Sequence, residues 1–347
     1  MSPLFEIDNK LQVDSRVYRT LDFFSAAAII SQRRFMFSRA DTFEDKNEGI
    51  ERLLLQLEMT SPDDGCGMGW SDPKSARSEH DSLKRSHFIS CWSANPESVA
   101  MWSLYSPDYC SVRVSTSIDK LCLVVEELLR KYCVSRIKES DLGKRVVVAV
   151  AGRIAPVTYV SLSQIASRVT RRAKARIKLS NSYKSKGQSM PAINFTDPKY
   201  WQREQQRKFV ELQTSCSLKD VSFQHESEVR LSVRIGEEYC RESVFRLHKI
   251  LNELQLPDSS DPYRSALYRT ALKSDLNYWG FVKQPDVPAR EFVTCPADLI
   301  DSVAIDPRCP PHKAAFMQAW FEQHGVSVVQ STCFGYLPAS FSVFPNK

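Results

Sequence analysis

Glu226 and Glu228, separated by one serine, are the residues best placed by spacing to do chemistry in this chain. They lie in FQHESEVRLSV, where Val229, Leu231 and Val233 alternate with polar residues, so a strand is predicted over 223–233. Side chains at i and i+2 of a strand share a face, so both carboxylates would point the same way and repel, raising the pKa of one of them. Arg230 falls on that face and would moderate the repulsion. Such carboxylates can stabilise positive charge developing on a sugar and orient an attacking group. The same residues also read as a Glu228–Arg230 ion pair on the solvated face of an edge strand, contributing little. His225, beside the pair, is an acid–base candidate by type and a structural histidine by position.

Further candidates lie upstream. Arg19 sits in RVYRT, a predicted short strand rich in neighbouring aromatics. It can hold an anionic ligand by charge-assisted hydrogen bonds, or cover apolar surface with its stem and pair with Asp41 or Glu44. Ser90 and Trp92 lie in the strand-like run HFISCW, and Tyr105 ends the helical segment 96–105. These aromatics could line a pocket, although Met101, Trp102 and Tyr105 follow helical spacing, which makes core packing the better reading of the first two. Ser115-Thr116-Ser117 reads as a helix N-cap. The 10 cysteines form no C-x-x-C pair and none stands near a histidine at zinc-ligand spacing, so no metal is expected. Several, such as Cys110 and Cys122, sit in apolar stretches as reduced thiols of a cytoplasmic protein would.

The elements that must position these groups alternate irregularly. Strands are predicted at 16–20, 35–38, 87–92, 110–114, 145–150, 154–160, 223–233, 290–293 and near 305 and 326–330. Helices are predicted at 21–32 (stripe Phe24, Ala27, Ala28, Ile30), 50–59, 96–105, 119–136, 163–179, 200–214, 242–254 and 312–324. No βαβ rhythm, internal repeat, P-loop or G-x-G-x-x-G appears, so the chain reads as a single α+β domain over 1–347 with mostly antiparallel strands. A hydrophobic share of 42% in 347 residues supports a sizeable core. No apolar run reaches the roughly 18 residues a bilayer span needs, and residues 1–10 lack a secretory signal pattern, so no membrane association is expected.

The net charge of +6 is local. Residues 142–196 hold eleven basic residues and no acid, leaving 36 basic against 41 acidic elsewhere. The span reads as a basic insertion or subdomain, with a helix presenting Arg168, Arg171, Arg172, Lys174, Arg176 and Lys178 beside an apolar side of Ile165, Val169, Ala173 and Ile177. RNA or DNA is the expected partner; the alternatives are an acidic patch of the same chain or an acidic protein partner.

Four segments together resemble the bacterial domain-of-unknown-function family 2971: VYRT with FMFSRADTFEDKNEG (35–49), FISCWSANPESVAMWSLYSPDYCSVRV (88–114), SLKDVSFQHESEVRL (217–231) and FVTCPADLIDSVAIDPRC (292–309). Phe43-Glu44-Asp45-Lys46 replaces the family's Phe-Asn-Asp-Pro, Phe223 stands where Trp is common, and the basic block matches no family motif. The layout is also similar to the ADP-ribosyltransferase superfamily, especially its nucleic-acid-modifying toxins. That resemblance implies a mixed, mostly antiparallel split sheet flanked by helices, with NAD as substrate. It assigns Glu228 and Glu226 as catalytic, and Arg19, Ser90, Trp92 and Tyr105 as NAD-binding. The implied function is a toxin or antiphage effector acting on a nucleic acid or a nucleic-acid-associated target. The alternative is a non-enzymatic nucleic-acid-binding or regulatory component of a bacterial defence complex.

Overall fold

The computed structural model describes residues 5–50, 80–81, 84–133, 138–164, 166–167, 170–171, 174, 178, 181–182, 185–187, 216–239 and 287–335. In chain order its strands are β1 (Phe5–Ile7), β2 (Arg16–Asp22), β3 (Arg34–Arg39), β4 (His87–Ser93), β5 (Ser111–Ser117), β6 (Arg145–Pro156), β7 (Thr158–Val160), β8 (Leu218–Asp220), β9 (Glu228–Tyr239), β10 (Arg290–Thr294), β11 (Ser302–Ile305) and β12 (Ser327–Val329). The helices are α1 (Phe23–Gln32), α2 (Val99–Tyr105), α3 (Ile118–Lys131) and α4 (Pro311–Gln323). The fold is α+β with a mixed, mostly antiparallel sheet. Ten strands form one sheet in the order β1-β6-β9-β4-β2-β5-β11-β12, with β3 on β4 and β10 on β3; β7 and β8 form a small parallel pair. Among the described residues of the large sheet, only β1–β6 and β11–β12 are parallel.

The sheet forks at β4. One edge of β4 pairs with β9 along its whole length, from His87 to Ser93. The other edge pairs with β3 through Phe88 and Ile89, and with β2 through Ser93 alone. Between them, Ser90, Cys91 and Trp92 have no ladder partner on that edge among the described residues. The sheet therefore opens by a gap beside the middle of β4.

Alternation along the strands separates two faces. Val17, Phe35, Phe37, Phe88, Trp92, Val112, Val114, Ile154, Val229, Leu231 and Val233 join one core with α1, α3 and α4. In α3, Leu121, Val124, Val125, Leu128 and Leu129 recur at helical spacing and are buried against this face. Asp22 starts α1 by accepting a hydrogen bond from the Ser25 amide at 2.9 Å, and Arg33, at φ 50°, ends it. The face α1 turns inward differs from the expected stripe: Ala26 and Ile29 are buried and Phe24 is 79% exposed. The run FFSAAAII is apolar all round, so periodicity had no polar side from which to choose. On the opposite face, α2 packs Trp102 against Ala304 and Cys333.

Residues 145–160 form the long strand β6, with a bulge between Ala149 and Ala151, and the short β7. The expected break at Gly152 lies inside β6. The acid-free span 142–196 therefore begins as an interior strand of the sheet: Val148, Ala149 and Ile154 are buried, and Arg153 pairs with Asp8 at 2.7 Å. Farther on, the described residues 162–164, 166–167, 170–171, 174, 178 and 181–182 are helical. No described helix is long and apolar enough to cross a membrane.

Gly152 lies beneath α3. An added Cβ would stand 2.9 Å from Leu129 Cδ1 and 3.1 Å from Val125 Cγ1. Gly152→Ala is expected to cost about 1–3 kcal/mol by overpacking, since both neighbours are side-chain ends that must shift. Urea denaturation checks this; unchanged stability would show that α3 yields freely there.

Candidate functional site

Polar groups of four sequence segments, around Glu48, Tyr105, Tyr159 and 216–230, meet on the α2 face of the sheet, beside the gap. β9 begins at Glu228, and its alternation directs Glu228 and Arg230 away from the apolar core. Arg230 Nε donates to Glu228 Oε1 at 2.7 Å, and its Nη1 donates to the Cys216 carbonyl at 2.6 Å. Its Nη1 and Nη2 also reach the Glu48 carboxylate, the latter at 2.9 Å. Lys219, on β8, donates to Glu226 Oε2 at 2.6 Å and stands 3.0 Å from Glu228 Oε2. Its ammonium also lies 4.7 Å from the centre of the Phe223 ring. Tyr105, the last residue of α2, donates to Glu226 Oε1 at 2.9 Å. Tyr159, on β7, accepts a hydrogen bond from the Glu228 amide at 2.7 Å.

Two expectations about the carboxylate pair are corrected. Glu226 is not on the strand: it ends a 3-10 turn over Val221–Glu226, and Ser227, at φ 44°, turns the chain into β9. Asp220 caps that turn by accepting from the Ser222 amide at 3.0 Å. The carboxylates therefore converge through Lys219 rather than through strand parity. Nor does the Glu228–Arg230 pair lie on a solvated edge. β9 is interior, between β4 and β6, and Glu228 and Arg230 are 4% and 3% exposed. Three carboxylates (Glu48, Glu226, Glu228) face Lys219 and Arg230, with Arg19 close by, so the buried charges nearly cancel.

The electrostatics follow from this packing. Burial pushes the Glu228 carboxyl up, but the charge and hydrogen bond of Arg230, and then Lys219, overcome it and hold the group at about 2. Burial lowers Lys219, yet Glu228 and Glu226 raise it above the ordinary lysine range. Tyr105 is raised by burial and then by the charge of Glu226, so its hydroxyl keeps its proton and donates. Burial and Glu228 push the Cys91 thiol well up, which leaves a neutral thiol rather than a nucleophile.

Arg19 and Ser90 come together at the gap. Arg19, half-buried on β2, donates from Nη1 to Ser90 Oγ at 2.8 Å. Neither of its expected acidic partners engages it: Asp41 pairs with Arg39 at 2.6 Å. Burial lowers the Arg19 guanidinium, opposed by Cys91, Tyr105 and Glu228. Ser90 and Cys91 point to opposite faces of β4, so the guanidinium senses both sides of the sheet through the opening. Ser90 also accepts from Trp92 Nε1 at 3.2 Å. Trp92 is a core side chain, 2% exposed and stacked on Phe35 with ring centroids 6.3 Å apart. It presents no surface to a ligand. Tyr105 is 46% exposed and does.

Other candidates fall elsewhere. His225 is exposed on the 3-10 turn, its Nδ1 3.2 Å from the Ser222 carbonyl oxygen. Ser115 and Thr116 are strand residues of β5, Ser115 bonding Ser302 and Thr116 donating to the Leu299 carbonyl, whereas Ser117 is the N-cap residue of α3 as expected, without a side-chain cap hydrogen bond. Arg171, Lys174 and Lys178 are helical and exposed, whereas Arg168, Arg172 and Arg176 lie outside the described residues. Among the described residues no group of three or more His, Cys, Asp or Glu side chains could hold a metal.

Lys219, Glu48 and Tyr159 were not singled out from the sequence. The signal for two of them was available: Lys219 heads the K-x-x-x-F-x-x-E-x-E-x-R run whose last members are Glu226, Glu228 and Arg230, and Glu48 closes the FEDKNE run. Tyr159, in an ordinary strand, carries none. No family model, curated protein or solved structure matches the chain.

Proposed function

We propose that this chain is an ADP-ribosyltransferase-like enzyme that takes NAD as donor and modifies a nucleic acid or a nucleic-acid-associated target, as an effector of the toxin or antiphage kind. The observation that carries the reading is the joining of Arg19 to Ser90 in a gap of a forked sheet, with the exposed Tyr105 and its partner Glu226 beside it. Arg19 supplies a cation for the donor's phosphates. The Tyr105 ring offers a face on which nicotinamide can stack. Glu226 is the carboxylate for the oxocarbenium-like ribose: the ribose–nicotinamide bond breaks, nicotinamide leaves with the bonding electron pair, and an acceptor oxygen or nitrogen bonds the ribose carbon and gives up its proton. Glu228, enclosed by Arg230 and Lys219, is a positioning residue that fixes Lys219 and through it Glu226. Trp92 and Ser90 shape the gap from within the core.

The exposed Arg171, Lys174 and Lys178 on a stretch without acids support a nucleic-acid acceptor. Incubation with NAD and RNA, DNA or cell lysate, with nicotinamide release and label transfer as readouts, tests the reading. Wild type is expected to release nicotinamide, and Glu226→Gln and Arg19→Lys to lose that release while remaining folded at the assay temperature, as checked by circular dichroism. No release by the wild type with any of these acceptors would overturn it.

A second reading draws on the closure of Glu228 by its partners, which suits a structural cluster: a non-enzymatic nucleic-acid-binding or regulatory component of a defence complex. It expects binding that weakens steeply between roughly 50 and 200 mM salt and is unaffected by Glu226→Gln.

A further inference from the structure

Beyond the Tyr105 end of α2, three segments bring two more aromatic rings to the surface. The turn after α2 is closed by the Tyr109 amide, which donates to the Ser106 carbonyl at 3.2 Å, and by the Ser111 hydroxyl, which donates to the Tyr105 carbonyl at 3.0 Å. Arg308, after β11, is fastened to this end of α2. Its Nη2 donates to the Trp102 carbonyl at 3.0 Å and to Asp306 Oδ2 at 2.7 Å, and its Nε donates to Asp306 Oδ1 at 3.0 Å. Cys333, packed on Trp102, brings up Phe334. The guanidinium carbon of Arg308 then lies 4.3 Å from the centre of the Tyr109 ring and 4.4 Å from that of Phe334. Tyr109 is 46% exposed and Phe334 41%. Stability does not account for these rings. Both residues have left-handed backbone, φ 60° and 61°. That conformation costs a non-glycine residue at least as much as an exposed cation–π contact returns, and neither ring belongs to the core.

We infer that Tyr109, Phe334, Arg308 and Lys313 form a docking surface for single-stranded nucleic acid, with bases stacking on the two rings and phosphates meeting the two cations. The charges favour this occupant. Nε and Nη2 of Arg308 are held, while its Nη1 makes no hydrogen bond among the described residues. Lys313, in the first turn of α4, stands with Nζ 3.4 Å from Sγ of Cys110, the neighbour of Tyr109, and has no acidic partner among the described residues. Asp306, the acid against Arg308, has no exposed side-chain surface. Asp108, the exposed acid of the turn, accepts from the Cys110 amide at 3.0 Å. Two cations with open donors thus flank two rings, which complements a phosphate backbone carrying bases. An exposed ring face accepts any base, and an unpaired strand is the form that can offer one. The surface begins four residues beyond Tyr105, whose hydroxyl holds Glu226. The inference therefore rests on the nucleic-acid acceptor of the proposed function and narrows it to single strands, led toward Tyr105 and Glu226.

Fluorescence anisotropy of the full chain with labelled single-stranded RNA or DNA, and with the matching duplex, tests this without NAD. At one salt concentration the single strand is expected to bind at least roughly tenfold more tightly than the duplex. Glycine takes the left-handed backbone without strain, so Tyr109→Gly and Phe334→Gly are expected to stay folded by circular dichroism. Each is expected to weaken single-strand binding by at least roughly fivefold and to leave duplex binding unchanged. Tyr109→Trp keeps a ring and should bind the single strand as wild type does; loss of binding in that variant would overturn the stacking role. Lys313→Ala should lower the salt slope of binding by about one, and an unchanged slope would overturn the role of Lys313. Equal affinity for single strand and duplex, or glycine variants that bind the single strand like wild type, would overturn the inference. Absence of binding to either single strand would overturn it in favour of a protein partner. The enzymatic reading fails separately. Single-strand binding through these rings with no nicotinamide release keeps the surface and removes the enzyme, and release with unchanged affinity in Tyr109→Gly does the reverse.

Discussion

Replacing Arg230 with methionine is expected to lower the unfolding free energy by about 3–5 kcal/mol, the magnitude for breaking a buried ion pair by removing one partner. The guanidinium bonds both Glu48 and Glu228. Methionine fills much of the same volume but leaves two carboxylates buried near each other, with Lys219 against Glu228. It also removes the hydrogen bond that Arg230 donates to the Cys216 carbonyl. The double variant Glu48→Gln with Arg230→Met removes one of the two carboxylates that lose Arg230 and is expected to recover part of the loss. Arg230→Lys keeps the charge but not the fork that reaches two carboxylates and a carbonyl, and should fall between wild type and Arg230→Met. Urea titration of the four proteins measures these differences. A loss below about 1 kcal/mol in Arg230→Met would mean that the cluster is open to water, as for surface pairs.

Acid should unfold the protein through the same cluster. The Glu228 carboxyl is held at about 2, against an ordinary value of 4.5. Because the folded value is the lower one, the unfolded chain binds a proton first as pH falls. The stabilisation is fully present above the unfolded value, declines as pH drops below about 4.5, and is gone once pH has passed below about 2. The difference corresponds to about 3 kcal/mol, at 1.36 kcal/mol for each pH unit. In Glu228→Gln this contribution is absent at every pH, so the variant should be less stable near neutrality yet lose less between pH 5 and pH 2. Urea midpoints across that range check the prediction; parallel curves for the two proteins would overturn it.

What could be read from the sequence depended on how local the deciding interaction was. Strands β3 and β5 announced themselves by alternation, β4 and β10 were read as strand-like runs, and α3 announced itself by its apolar spacing. The ends of α1 and α2 turned on single side-chain caps, Asp22 and Ser98, which shift a boundary by two or three residues. Glu226 was assigned to a strand because the alternation after Val229 was extended backwards; Asp220 and the left-handed Ser227 instead give that stretch to a turn. The site was half visible. Glu226, Glu228 and Tyr105 were chosen by type and spacing, and they share one hydrogen-bonded network. Glu48 lies 182 positions from Arg230 along the chain, and no local pattern can report such a partner. Trp92 was assigned to a pocket through the resemblance, and only Phe35, from another strand, found against its ring shows it to be a core residue.

The two unlike buried faces of β9 have a consequence for how the sheet reaches a unique pairing. A slip of one residue in register reverses every side chain of a strand. For β9 that would drive Glu228, Arg230 and Arg234 into the aliphatic layer under α3, and carry Val229, Leu231 and Val233 into the ionic cluster. With several kcal/mol lost for each isolated charge, the penalty would exceed the roughly 5–15 kcal/mol by which a domain is stable at all. The interior salt bridges thus act as an alignment code for the central strand, one that excludes neighbouring registers more strongly than it favours the native one.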